Sequence, residues 1–168
     1  MTEREQVRLF IAAWLPDDVA DSLAALARPG EPAVRWVPRQ NLHVTLRFLG
    51  QAVVDEVAPL LVGTVFPRST ASLGPVVSRM GHDLVVVPVS GLDQLAARVA
   101  EATSSIGKSE PRGFHGHITL ARLRQRAACG VTGTRVQGGF EVHEVALVRS
   151  RTLPTGAEYE TLDTFDTR

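Results

Sequence analysis

The apolar residues of this chain follow two kinds of pattern, one typical of strands and one typical of helices. Unbroken or alternating apolar runs predict strands, at 7–14, 42–49, 70–77, 83–89, 116–124, 140–151 and 157–165. Gly81 and His82 lie between the third and fourth of these strands, and "TLPTG" lies between the last two, so hairpins are expected at both places.

Apolar residues spaced three or four apart predict three amphipathic helices, at 16–28, 55–65 and 91–107. Pro16 and the acidic residues that follow it suit a helix start. The segment from Arg124 to Gly139 is rich in glycine and arginine and predicts a mobile loop. The predicted class is therefore α+β, with mostly antiparallel sheets and outer helices.

A four-residue phrase occurs twice, as "HVTL" at 43–46 and "HITL" at 117–120. The copies lie about half the chain apart, and each follows a predicted helix. This order predicts two related lobes within one domain that spans 1–168. Two sheets placed side by side would leave a cleft between them.

The phrase places chemistry on one face of each strand. Side chains alternate across a strand, so His43 and Thr45 share a face, as do His117 and Thr119. The aliphatic residues between them would enter the core. One such strand means little, but two with the same chemistry favour a shared site.

Charge sharpens this interpretation. The chain has 18 basic and 18 acidic residues and a net charge of zero, which argues against a general nucleic-acid coat protein. Asp and Glu are missing from 32–54 and 111–140, and each window contains one copy of the phrase. Arginines occur in both windows, at 35, 39, 47, 112, 122, 124, 126 and 135. If the copies meet, the field would attract an anion, although arginines also cover solvated strand edges.

Two facing imidazoles suit acid and base catalysis. Histidine titrates near pH ~6.5, so one ring can be neutral while the other is protonated. The neutral ring can take a proton from a nucleophile while the other gives one to a leaving group. Threonine hydroxyls and arginines can donate to phosphate oxygens. Displacement at phosphorus is then possible without a metal or cofactor.

The motifs resemble those of the two-histidine (2H) phosphoesterases. More narrowly, the chain is similar to the RNA 2',3'-cyclic phosphodiesterases, long called 2'-5' RNA ligases. The resemblance rests on "RLFIAAWLP", "NLHVTLRFLG", "RGFHGHITLARLR" and "VALVRSRTLPTGAEYETL". It implies a bilobal α+β fold with a central cleft. It also implies metal-independent hydrolysis of an RNA-terminal 2',3'-cyclic phosphate to a 2'-phosphate, with reverse ligation as a further reaction.

The resemblance also assigns residues. His43 and His117 are implied as the catalytic pair, with His43 as the acid toward O3' and His117 as the base toward water. Thr45, Thr119 and Arg122 are implied to hold the phosphate, and Phe48 to lie near the terminal base. Where relatives often have "FHPH", this chain has "FHGH", so we expect Gly116 to loosen the approach to the second motif.

In a regular strand, Phe48 and His43 would face opposite sides of the sheet. The implied position of Phe48 near the terminal base therefore requires a bulge or a strand end near Arg47. A regular strand would bury Phe48 in the core. Trp36 and Tyr159 could stack on a base or pack internally, and His82 and His143 are expected to be structural. His115 could lie at the rim of the site or in a solvated loop.

Two rival functions stay open on the sequence. A metal-dependent phosphodiesterase could use "HGH" at 115–117 with His43 as ligands, and a non-catalytic nucleotide-binding module could use the same cleft. The single cysteine, Cys129, excludes an internal disulfide. The apolar run near the N-terminus is too short for a membrane span. A cytoplasmic monomer that acts on RNA ends or nucleotides is the expectation.

Overall fold

The structure is a computed structural model that describes residues 4–108 and 112–168. Its helices are α1 (Asp17–Ala24), α2 (Val54–Val62) and α3 (Asp93–Ala102), with a 3-10 turn at Arg39–Asn41. Its strands are β1 (Val7–Trp14), β2 (Val34–Trp36), β3 (His43–Ala52), β4 (Ser69–Leu73), β5 (Ser78–Met80), β6 (Leu84–Ser90), β7 (His117–Leu123), β8 (Gly139–Val142), β9 (Glu144–Leu153) and β10 (Gly156–Asp166).

The strands form a sheet of two related halves, in the order β10-β9-β1-β3-β7-β6-β4-β8. Each half is an antiparallel series that ends on a motif strand, β3 in one half and β7 in the other. The halves meet where Val44 of β3 pairs with Ile118 of β7. The predicted α+β fold with pseudo-symmetric antiparallel halves is confirmed, and the two halves are joined edge to edge by the motif strands.

The core lies on the face of the sheet opposite the histidines. Val44 and Ile118 are fully buried, as are Leu95 and Val99 on α3 and Leu61 on α2. On the other face a small cluster of Phe10, Ala12, Ala146 and Val148 packs with Trp14 and Tyr159. Helices therefore cover one side of the sheet and leave room on the other. None of the three described helices is long and apolar enough to cross a membrane.

Some details differ from the sequence prediction, among them the strand predicted at 70–77, which ends at Leu73 and is followed by the unpredicted strand β5. The single strand predicted at 140–151 is two strands, β8 and β9. β8 pairs with β4 as far as Val142, and β9 then pairs with β1 and β10 in the other half. β2 was not predicted, since three residues are too few for a visible period. The predicted mobile loop after Arg124 has buried Cys129 and Val131, so it packs against the core.

Candidate active site

The junction of β3 and β7 carries the predicted site. Because Val44 and Ile118 point into the core and pair with each other, the residues on either side of each face away from the core. These four residues line a cleft of about 430 Å³, a volume typical of a small-ligand site. The cleft contains all six residues named from the sequence, His43, Thr45, Phe48, His117, Thr119 and Arg122.

Each motif strand contains a β-bulge at its leucine. Ala12 pairs with Thr45 and Ile11 with Arg47, so Leu46 has no partner across the ladder. In the other half, Leu120 is skipped between two consecutive pairs of β6 and β7. A bulge moves every residue after it to the opposite face of the sheet from the one it would have in a regular strand. The two motif strands therefore share a backbone irregularity as well as a four-residue sequence.

The two bulges add a further side chain to each half of the cleft. Leu46 and Arg47 are both buried in succession, and the next residue, Phe48, emerges on the cleft face with 52% exposure. Arg122 reaches the cleft in the same way, after buried Leu120 and Ala121. The predicted bulge near Arg47 is confirmed, and the alternative that Phe48 belongs to the core is wrong.

Both imidazoles are oriented by a backbone carbonyl two residues earlier. Nδ1 of His43 lies 2.6 Å from the carbonyl oxygen of Asn41, and Nδ1 of His117 lies 2.7 Å from that of His115. A carbonyl can only accept, so Nδ1 carries the hydrogen in each ring. Nε2 is then the atom that gains or loses a proton, and Nε2 of His43 lies 2.9 Å from Oγ1 of Thr45.

The surroundings of His43 are aromatic. Its ring centroid lies 5.1 Å from that of Phe10 and 5.4 Å from those of Trp14 and Tyr159. Burial lowers the pKa of His43 below its ordinary value, the hydrogen bond to Asn41 opposes this, and the charge of His117 lowers it further. His43 is therefore neutral near pH 7 in the free protein, and it interacts electrostatically with His117 across the cleft.

Among the described residues, arginine is the only charged type besides histidine that lines the cleft. Arg8, Arg35 and Arg122 contribute to its walls, and none of the lining residues within 4–108 and 112–168 is Asp or Glu. Arg35 is the ladder partner of Arg122, so these two lie side by side. The acid-free windows therefore do surround a positive cleft, although only one arginine from each window lines it.

Other arginines of those windows have structural contacts. Arg39 forms ion pairs with Asp17 and Asp21 of α1. Arg47 is buried, and its guanidinium donates to Oγ1 of Thr103 at 2.5 Å and to the carbonyl of Ile106 at 2.7 Å. The bulge that brings Phe48 to the cleft sends Arg47 to the opposite side, toward the end of α3.

Comparison with known proteins agrees with this geometry. A profile described as "LigT like Phosphoesterase" matches residues 14–65. An Escherichia coli protein named "RNA 2',3'-cyclic phosphodiesterase" is 31% identical over 88% of this chain and 92% of its own. The chain belongs to the LigT-like phosphoesterase family.

Solved structures of that family superpose along almost the whole chain. Escherichia coli LigT in its apo form is 30% identical, with a TM-score of 0.77 over 98% of this chain and 99% of its own. A crystal of Escherichia coli LigT complexed with 3'-AMP is 27% identical, with a TM-score of 0.78 over 97% of this chain and 99% of that one.

Within this LigT-like site, several residues that the sequence left open are now placed. His115 is exposed and contributes its carbonyl to His117. Trp36 lines the cleft while its Nε1 donates to the carbonyl of Arg28 at 3.1 Å. Tyr159 also lines the cleft and contacts His43 edge-on. His82 lies exposed within the β5–β6 turn, and His143 is exposed, 3.8 Å from Glu141.

Gly116 gives the second motif a close contact that a side chain would prevent. Its carbonyl accepts a hydrogen bond of 2.9 Å from the backbone of Val89. A Cβ at this position would lie 2.4 Å from the carbonyl oxygen of Val89. The glycine thus lets the backbone just before β7 pack closely against β6. The expectation that this segment is loose is wrong, because its backbone is hydrogen-bonded to the sheet.

Asn41, Phe10 and Arg8 were missed on the sequence, and all three line the cleft. Asn41 is buried, and its side-chain amide donates to the carbonyl of Ala157 at 3.0 Å, which ties the first motif to β10. The period of β1 could have shown that Arg8 and Phe10 share a face, but not that this face meets His43. Among the described residues, no group of three or more His, Cys, Asp or Glu is arranged to hold a metal ion.

Proposed function

We propose that this protein is an RNA 2',3'-cyclic phosphodiesterase that hydrolyses a terminal 2',3'-cyclic phosphate to a 2'-phosphate. The observation that carries the proposal is the pair of imidazoles on register-paired strands, each with Nδ1 fixed by a carbonyl. Support comes from relatives that bear this name and from the complex of Escherichia coli LigT with 3'-AMP.

In the proposed reaction, water attacks phosphorus in line with O3'. His117 takes a proton from the water as the new bond between oxygen and phosphorus forms. The bond from phosphorus to O3' breaks, and His43 gives its proton to O3'. The phosphate stays on O2', and solvent returns His43 and His117 to their starting protonation states. If a 5'-hydroxyl attacked phosphorus in place of water, the same steps would break the bond from phosphorus to O3' and give a 2'-5' linkage.

The remaining four site residues hold the substrate. The hydroxyls of Thr45 and Thr119 and the guanidinium of Arg122 donate to the non-bridging oxygens. Phe48 presents an exposed ring on the cleft face, and an aromatic ring there can stack on the terminal base. A cyclic phosphate of this kind requires a 2'-hydroxyl, so the substrate is a ribonucleotide end.

Protonation of His43 accompanies substrate binding in this proposal. The low pKa of His43 leaves it neutral in the free protein, whereas a general acid must start protonated. An anionic phosphate near Nε2 stabilises the imidazolium and raises this pKa. Substrate binding and proton uptake by His43 are then coupled, so that His43 is protonated in the complex in which it acts as the general acid.

The proposal requires no cofactor and no second subunit, since both histidines come from one chain. The halves are interleaved, because β1 and β3 of one half assemble with β9 and β10 from the end of the chain. We accordingly propose a single domain over 1–168 that acts as a cytoplasmic monomer.

One incubation tests the function. An RNA that ends in a 2',3'-cyclic phosphate is incubated with the protein in excess chelator, and the products are separated against 2'- and 3'-phosphorylated standards. The expected result is the 2'-phosphate at an undiminished rate. Formation of the 3'-phosphate would reject the proposal. Loss of turnover in chelator would reject it in favour of a metal-dependent phosphodiesterase, and tight binding without turnover would reject it in favour of a nucleotide-binding module.

A further inference from the structure

A shallow groove continues from the cleft beyond Phe48. Arg8 and Ser150 line both the cleft and this groove, which has a volume of about 370 Å³. Its other walls include Gln51, Arg149 and Arg151. Accepting the proposed function, we propose that this groove binds a backbone phosphate on the 5' side of the terminal nucleotide, so that the preferred substrate is an RNA strand and not a free nucleoside cyclic phosphate.

The order of residues along β1 gives the groove its position. Trp14 pairs with His43, Phe10 pairs with Phe48, and Arg8 pairs with Gln51. Because alternate residues of a strand share a face, Arg8 follows Phe10 on the cleft side, about 7 Å further along. A path from His43 toward Arg8 thus passes the base-stacking position first.

Arg8 is separate from the arginines that face the reacting phosphate. Arg35 and Arg122 are ladder partners in the half of the sheet that contains His117. Arg8 belongs to the half that contains His43, at the opposite end of β1 from Trp14. One phosphate held between the histidines leaves Arg8 available for a second one.

The charge of Arg8 is not neutralised by the part of the chain described here. Arg4, close by in sequence, forms an ion pair with Glu56, and Arg149 forms one with Glu160. Arg8 has neither an ion pair nor a side-chain hydrogen bond among residues 4–108 and 112–168. Guanidinium groups bind phosphodiesters through paired hydrogen bonds, and an exposed arginine beside an aromatic platform suits a nucleic-acid strand.

Neighbouring groups complete the phosphate site. Ser150 is the ladder partner of Arg8 on β9, so its hydroxyl can donate to the same phosphate. Arg149 and Arg151 flank Ser150 and add positive charge, which Glu158 and Glu160 partly offset. Among the described residues that line the groove, Glu5 is the one acid, and Arg8 is the one arginine without an ion pair.

The test compares two substrates that share the same terminal nucleoside 2',3'-cyclic phosphate, one as a mononucleotide and one as a trinucleotide. We expect kcat/KM to be about tenfold higher for the trinucleotide, and Arg8→Gln to remove most of that advantage while affecting the mononucleotide far less. Arg68→Gln is the matched control, because it removes one exposed charge at the distant β4–β8 edge. This control should preserve the advantage.

Salt provides a second readout that a structural role would not change. Each phosphate contact on a single strand contributes about 0.7 to the slope of log affinity against log salt, so Arg8→Gln should lower the trinucleotide slope by about that amount. Equal kcat/KM values for the two wild-type substrates, or equal losses in Arg8→Gln, would overturn the proposal. If neither substrate is hydrolysed, the proposed function fails, and the groove is judged by whether Arg8→Gln selectively weakens binding of a 2'-phosphorylated trinucleotide.

Discussion

The two motif strands share a backbone design and differ in what surrounds it. Both fix Nδ1 of a histidine with a carbonyl two residues earlier, and both contain a bulge at the following leucine. Beyond the bulge, β3 presents an aromatic ring and β7 presents a guanidinium. One half is thus suited to a base and the other to a phosphate.

The histidines differ in the same sense. His43 lies among Phe10, Trp14 and Tyr159, and burial lowers its pKa. Among the described residues, His117 has no such aromatic neighbours. The difference shows how a repeated scaffold can place two chemically identical groups in different surroundings, one ring among aromatic side chains and the other, within the described part of the chain, without them.

The largest expected effect comes from removing either histidine. His43→Ala and His117→Ala should each lower kcat by at least ~100-fold, the usual scale for a general acid or base. The double variant should lose much less than the product of the two, since the pair acts as a unit. Single-turnover rates on a cyclic-phosphate RNA measure this. Near-normal turnover in either single variant would refute the assignment.

A difference beneath the cleft predicts a loss of stability instead of activity. Arg47 is buried and donates to Thr103 and Ile106 at the end of α3, whereas Ala121 holds the same place in β7. Arg47→Met should lower the free energy of unfolding by about 1.5–3 kcal/mol, because charge-assisted hydrogen bonds are lost. Denaturant unfolding measures the change, and an unaltered midpoint would show that these bonds contribute nothing.

Phe48 tests the proposed role of the β3 half in base binding directly. Phe48→Leu should weaken binding of a ribonucleotide end by ~1–3 kcal/mol, since a stacking surface is lost, and should leave the melting temperature nearly unchanged. Phe66→Leu, the same substitution at a fully buried ring, is the matched control and should do the reverse. If Phe48→Leu lowered stability without affecting KM, the stacking role would be wrong.

A smaller effect concerns stability against pH. The pKa of His43 is lower in the folded protein than in the unfolded chain, where it is about 6.5. The unfolded state therefore binds more protons at acidic pH, so stability should fall as pH decreases through and below about 6.5. Melting temperatures of His43→Gln should depend less on pH in this range, while His117→Gln serves as the control. Identical slopes for wild type and His43→Gln would exclude the shift.

Much of the site could be predicted because its information is local. The bounds of β1 and the starts of the motif strands follow from apolar period, and the shared face of His43 and Thr45 follows from strand geometry. Even the bulge could be inferred, because the resemblance places Phe48 on the same face as His43, whereas a regular strand would place it on the opposite face.

What escaped prediction depends on contacts between distant segments. Arg8 enters the groove only because β1 pairs with both β3 and β9. Arg47 counted toward the positive field on the sequence, yet the bulge turns it into the core. The change of partner strands at His143 is not visible in the sequence either, because the apolar residues continue on both sides of this position.

The central claim is that two histidines work in opposite protonation states, with His43 as acid and His117 as base. The pH dependence of kcat for the single alanine variants tests it most directly. Wild type should give a bell. His43→Ala should lose the alkaline limb and keep the acid limb, and His117→Ala should do the opposite. Exchange of the lost limbs would reverse the roles, and a bell that survives intact in either variant would contradict the claim.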